Sequence, residues 1–107
     1  MKQNISVGVC ESRHPMPVGT YIFPKTLKSN EITDPILLYE ISRNFMSAWK
    51  ERVDHINLFV TGLTVATIAV INAMLVVGIS FTIYHWNSKS KKYFTQEWVE
   101  SNSKEKD

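Results

Sequence analysis

Thr61, Gly62, Leu63 and Thr64 are the residues of this chain best suited to hold a ligand. They stand between an apolar run, Ile56-Asn57-Leu58-Phe59-Val60, and a longer apolar segment with helical character. A glycine at such a junction lets backbone approach a bound group closely. The first N–H groups of the following helix point outward, with the positive end of the helix dipole behind them, an arrangement that suits phosphate. Two threonine hydroxyls add donors. The plainer reading of the same four residues is a tight turn before a threonine-capped helix.

Glu11-Ser12-Arg13-His14 forms a second polar cluster, just before Pro15 and Pro17. Arg13 can pair with a phosphate through two parallel N–H groups. His14 can take a proton or donate a hydrogen bond. The plainer reading is a solvated turn. A third cluster is His85-Trp86-Asn87, where Trp86 can stack on a base and Asn87 can read its edge; the plainer reading there is an aromatic covering the rim of the core. His14, His55 and His85 lack metal-ligand spacing, and one cysteine gives no zinc set, so neither a metal nor another cofactor is expected. His55 reads as a helix-end residue and Asn72 as a core or interface amide. Lys89, Lys91 and Lys92 read as a solvated turn that would also attract an anion.

The elements that must position these clusters follow from periodicity. Ile5, Val7 and Val9 alternate with Ser6, Gly8 and Cys10, which predicts a first strand ending at the Arg13–His14 cluster. A long loop is expected over 15–33, with a short extended piece at Tyr21-Ile22-Phe23-Pro24. Asp34 and Pro35 open an amphipathic helix running to about Val53, with Leu37, Leu38, Ile41, Phe45, Ala48 and Trp49 as its apolar stripe. A buried strand is expected over 56–60, a helix capped by Thr64 over 65–77, and a stop at Gly78. Ile79, Phe81 and Ile83 alternate with Ser80, Thr82 and Tyr84, giving a third strand. Residues 87–91 read as a turn, 93–99 as an antiparallel edge strand guarded by lysines, and 101–107 as a disordered polar tail. The expected fold is α/β: a small Rossmann-like three-layer domain over 1–100, with a mainly parallel sheet and a C-terminal antiparallel edge strand. The carboxyl ends of its strands are where such sheets bind nucleotides.

Ile56-Asn57-Leu58-Phe59-Val60-Thr61-Gly62-Leu63-Thr64 resembles the strand-turn of the CRISPR-associated Rossmann-fold (CARF) domains, whose pattern is a hydrophobic strand, often with Asn, running into Thr-Gly-Gly-Thr at a helix start. The chain departs from that pattern at Leu63, where the family favours a second glycine, and at Val65, where it often has a basic residue. The resemblance covers about ten residues. It implies a domain that binds a cyclic oligonucleotide signal at a homodimer interface. The residues it implies for the site are Thr61, Gly62 and Thr64, with Arg13 and His14 opposite. Without an attached effector domain, such a protein would hold its signal as a sponge or cut it as a ring nuclease, in antiviral defence or its evasion. Catalysis is left open; His14 is the best-placed base.

Length and composition bound these expectations. At 107 residues the chain is one domain, short enough that a second subunit often completes the core. Its formal charge of +2 argues against a dedicated grip on duplex nucleic acid. A single cysteine suits a reducing, cytoplasmic setting, and the N-terminus lacks the pattern of a secretory signal. The helix over 65–77 is apolar almost all round and must be covered on every side, which argues for a homodimer. Two other readings compete. Residues 56–84 carry no formal charge, so a span over about 58–84 would make a single-pass membrane protein. Alternatively, the chain is a small phage-type inhibitor that acts by protein–protein contact.

Overall fold

Position by position, the central strand divides water from core. In β2 (Val53–Phe59) Val53, Ile56 and Leu58 are buried, while Asp54 is exposed and His55 and Asn57 are half-buried. From His55 to Leu58 the alternation is what one apolar face and one wetter face require of a pleated strand, and Phe59, on the face of His55 and Asn57, is buried as well. In the computed structural model, which describes residues 2–10, 16–23, 28–61 and 63–98, β2 lies between β1 (Gln3–Gly8) and β3 (Ser80–Asn87). Both pairings are parallel, and β4 (Lys92–Glu97) returns antiparallel on the far side of β3, so the four-stranded sheet is ordered β1-β2-β3-β4. The protein is a small α/β domain with the mainly parallel sheet and antiparallel edge strand that the sequence led one to expect.

The helices are α1 (Ser29–Ile32), α2 (Pro35–Trp49) and α3 (Thr64–Val77). Asp34 caps α2 by accepting the Leu37 N–H at 3.1 Å, with Pro35 in the first turn. Leu38, Ser42 and Met46, four residues apart, form its buried line. The helix ends at Trp49, short of Val53. Arg52 N–H closes the turn onto the Trp49 carbonyl at 2.8 Å, and β-branched Val53 starts β2. Asp54 and His55 therefore belong to the strand and are not a polar link after a helix. Asp54 is exposed, and the half-buried His55 ring lies 2.8 Å from both the Ser80 and Thr82 hydroxyls on β3.

α2 and α3 pack side by side against the apolar face of the sheet, where Val7, Ile56, Leu58, Phe81 and Ile83 complete the core. Two right-handed crossovers taken in the same direction along a sheet put both helices on one face. Among the described residues the architecture is thus two-layered where three layers were expected. The opposite face of the sheet carries Ser6, His55, Asn57 and Thr82, the last two bonded to Ser6 and Glu97 respectively. Around Ser6, His55, Asn57 and Thr82 that face is polar and asks for no second helical layer, while further along it Phe59, Tyr84, Trp86 and Tyr93 cover one another.

The uncharged run is broken into a strand, a helix and a strand. α3 has 14 residues, which span about 21 Å at 1.5 Å each, against a hydrocarbon core of about 30 Å. No helix among the described residues is long and apolar enough to cross a membrane, so the continuous span over about 58–84 is not formed. Gly78 supplies the stop: at φ 89° it occupies the left-handed region, and its N–H returns to the Met74 carbonyl at 2.8 Å. Lys50 Nζ adds a charged donor to the last turn, 2.7 Å from the Val77 carbonyl. Lys50→Met keeps the aliphatic stem and deletes only that charge. It is expected to cost about 1 kcal/mol, because a cation at a half-buried helix C-terminus serves both an orphan carbonyl and the dipole. A urea midpoint equal to that of the parent would show that water replaces the ammonium without loss.

Candidate functional site

The order of the sheet gains one more member at its outer edge. Gly8 N–H donates to the Thr20 carbonyl (3.0 Å), Ile22 N–H to Gly8 (2.9 Å) and Phe23 N–H to Val9 (3.0 Å). The extended piece expected at Tyr21 is therefore real, and it bridges β1 in parallel. β1 lies between this piece and β2. The chain leaving β1 travels outward to Tyr21, whereas the chain leaving β2 travels through α3 to β3 on the other side. Connections that diverge from adjacent parallel strands open a crevice beyond their carboxyl ends, the usual ligand position in open α/β sheets.

Two of the expected site residues, Thr61 and Thr64, follow the carboxyl end of β2. Thr61 follows the end of β2, and its hydroxyl accepts the Leu63 N–H at 3.1 Å, which tightens the turn into α3. Thr64 is the first residue of α3 and is exposed; the N-cap position falls to Leu63, with no side-chain cap, so Thr64 does not cap the helix as the sequence suggested. One turn on, the Thr67 hydroxyl is buried with no hydrogen-bond partner among the described residues. Arg13, His14 and Gly62 lie outside the described residues. The flanks of the Arg13–His14 cluster are described: Cys10 beside Thr61, and Met16, buried, with its sulfur over Gly8.

Cys10 went unnoticed in the sequence except as a thiol without a disulfide partner. Its Sγ lies 4.0 Å from Thr61 Oγ1, linking the ends of β1 and β2. Burial pushes its pKa up, and the contact with Thr61 offsets only part of that. Little thiolate forms at neutral pH, so Cys10 is no nucleophile. The native protein is expected to react with iodoacetamide at pH 8 more slowly than the unfolded chain, because burial both shields the thiol and holds it protonated. Equal rates would show an accessible, ionised thiol.

Beyond the end of β2 the wet face of the sheet turns aromatic. Phe59 stacks on Tyr84 with centroids 4.5 Å apart and meets the edge of Tyr93 at 4.9 Å. Trp86 meets Tyr93 at 5.1 Å. Tyr21 lays its ring on Gly8 in the neighbouring strand. Tyr93 is raised in pKa by burial first and by the nearby Tyr21 phenol second. Trp86 stands two residues past Tyr84 on β3, and Thr61 two residues past its partner Phe59, beyond the end of β2. Asn87 lies at the hairpin, where its side-chain oxygen accepts the Lys89 and Ser90 N–H groups at 2.9 and 3.2 Å. That oxygen is committed to the turn, and only the amide nitrogen remains to read a ligand. The aromatic positions 59, 84, 86 and 93 were visible in the sequence, but nothing in their spacing shows that three strands bring them to one spot.

At the other end of the sheet, His55, Ser80, Thr82 and Glu97 form a ladder. The His55 ring bridges two hydroxyls, Ser80 donates on to the Asp54 carbonyl at 3.0 Å, and Thr82 to Glu97 at 3.3 Å. It borders a cavity of about 330 Å³ shared with Gly78 and Trp98. Its evident work is to tie β2, β3 and β4 together on the wet face. No cluster of three or more potential metal ligands occurs among the described residues. Comparison of the chain with protein-family models, with curated proteins and with solved structures found no match.

Proposed function

We propose that this chain binds a nucleotide-type signalling molecule across the carboxyl ends of β1 and β2, in the manner of a small Rossmann-like domain acting in the cytoplasm. The observation that carries this reading is the divergence of the chain after β1 and β2. Thr61 and the start of α3 follow the carboxyl end of β2, and the Trp86–Tyr93 pair lies toward the carboxyl end of β3. In this reading Thr61, Gly62 and Thr64 hold phosphate or ribose, Arg13 faces them, and Trp86 offers a stacking surface with Asn87 at its rim. A cyclic oligonucleotide fits the combination of an anion-binding turn and an aromatic shelf. The protein would then act as a sponge in antiviral defence or its evasion, or as a ring nuclease if His14 activates a ribose hydroxyl.

The test is a thermal-shift screen with cyclic and linear oligonucleotides and mononucleotides, followed by titration calorimetry. Thr61→Val is expected to weaken binding at least about tenfold, because it deletes a donor and frees the Leu63 N–H from the turn. Arg13→Ala should weaken it comparably. Binding that survives both changes would place the ligand elsewhere. A second reading, an inhibitor acting by surface contact, draws on the uncharged outer side of α3; absence of any nucleotide effect on melting would favour it.

A further inference from the structure

Seen down its axis, α3 has two apolar sides. Ala66, Ala69, Val70, Ala73 and Met74 face the core. Val65, Ile68, Leu75 and Val76 fall on the opposite stripe and are exposed by 40, 53, 39 and 64%. Ile36 at the start of α2 extends the stripe and is 72% exposed. These five side chains leave on the order of 500 Å² of apolar surface in water, near the upper limit of the largest patch on a typical monomer. α3 contains no charged residue over its 14 positions. The sheet's wet face shows that this chain does place polar residues where a surface meets solvent. The bare stripe is therefore a property of α3 and not of the composition.

We propose that the outer face of α3, with Ile36, is covered by a second copy of the same chain packed about a two-fold axis. Three observations select that occupant. The first is area: the stripe alone supplies on the order of 500 Å² of the roughly 800 Å² that a standard interface takes from each partner. The second is shape. Between Pro35 and Asn72 the face holds a groove of about 240 Å³, lined by Val65, Ile68 and Ala69, and exposed Val76 follows Asn72 one turn further along the same stripe. A face with both a groove and a ridge can complement itself in an isologous contact. The third is Asn72, which is exposed and sits at the middle of the stripe. A carboxamide is both donor and acceptor, so across a two-fold axis Asn72 can pair with its own copy and leave no buried polar group unsatisfied. A lipid surface would leave that amide unmet. The proposal does not rest on the nucleotide reading; either can stand without the other.

Sedimentation velocity on the full chain at micromolar concentration is expected to give twice the 12.3 kDa chain mass. Ile68→Glu and Val76→Glu should each weaken dimerisation at least about 100-fold, because closing the interface would bury an unpaired carboxylate. Both should leave the far-UV circular dichroism unchanged, since the sites already face water. Thr95→Glu, on exposed β4, should leave the dimer intact. Asn72→Cys should cross-link to its counterpart on mild oxidation. Three outcomes would overturn the proposal: a monomer at every concentration, a dimer that survives both glutamates, or a monomer that binds neutral lipid vesicles through Ile68. A stable complex with a different protein that excludes self-association would overturn it as well.

Discussion

Leu58→Ala is expected to be the most damaging single truncation in this chain, at about 3–4 kcal/mol, within the range for leucines removed from rigid cores. Leu58 is fully buried at the centre of the central strand, with Val7 and Ile83 as its partners on either side. It belongs to the core cluster to which α2 and α3 also contribute. None of these elements can move in to fill the space: β1 and β3 are fixed by their hydrogen bonds to β2, and the helices by each other. For a domain of this size the loss should lower the melting temperature by roughly 12–16 °C, and it consumes a large share of the 5–15 kcal/mol that such a domain has in total. The neighbouring Asn57→Ala is the control. Asn57 is half-buried on the wet face, with one long bond of 3.3 Å to Ser6 Oγ, and its loss should cost well under about 1 kcal/mol. Adjacent residues with a several-fold difference in cost are the signature of one packed and one open face. Similar costs at 57 and 58 would mean that the wet face is buried in the native protein.

That contrast also marks how far the sequence could be read. The alternation of Ile79, Phe81 and Ile83 and the glycine at 78 placed the third strand and the stop of α3 closely, because both signals are local: a period of two and a left-handed backbone position. The start of β2 was misplaced because Asp54 and His55 look like a loop until the hydroxyls of Ser80 and Thr82, twenty-five or more residues later, are seen to hold the imidazole. The number of layers was likewise hidden. It depends on the direction in which successive strands are added, and no property of Val7 or Ile56 states whether its neighbour lies to the left or the right. For the candidate site, the Thr61 turn was legible from Gly62 and the two threonines. The approach of Cys10 to Thr61 and the gathering of Tyr21, Tyr84 and Tyr93 around Phe59 were not, since each depends on strand register.

Gly8→Val should be nearly as costly as the core truncation, at about 2–3 kcal/mol, though a side chain is added and none removed. A Cβ at position 8 would lie 2.7 Å from two carbons of the Tyr21 ring and 3.1 Å from the Met16 sulfur. The ring cannot simply swing away, because the backbone on either side of Tyr21 is bonded to Gly8 itself, through Thr20 and Ile22. The extended piece must therefore leave the edge of β1, or β1 must bend. Gly19→Ala makes the natural comparison: nothing lies within 4 Å of its Cβ position, and the change should stay within about 0.5 kcal/mol. A second readout separates displacement of Tyr21 from general loosening. The Tyr93 phenol is raised by burial and by the phenol of Tyr21. A raised phenol favours the neutral, folded form, so its contribution to stability is present below the ordinary tyrosine pKa and is lost as the pH climbs through the raised one. Once Tyr21 is displaced, Tyr93 should titrate lower, and the alkaline loss of stability attributable to it should shrink. Gly8 lies at the carboxyl end of β1, where the proposed site is placed, so nucleotide binding should weaken alongside stability. A Gly8→Val protein with parental melting, an unchanged Tyr93 titration and undiminished binding would mean that the Tyr21 edge is no part of the proposed site's frame.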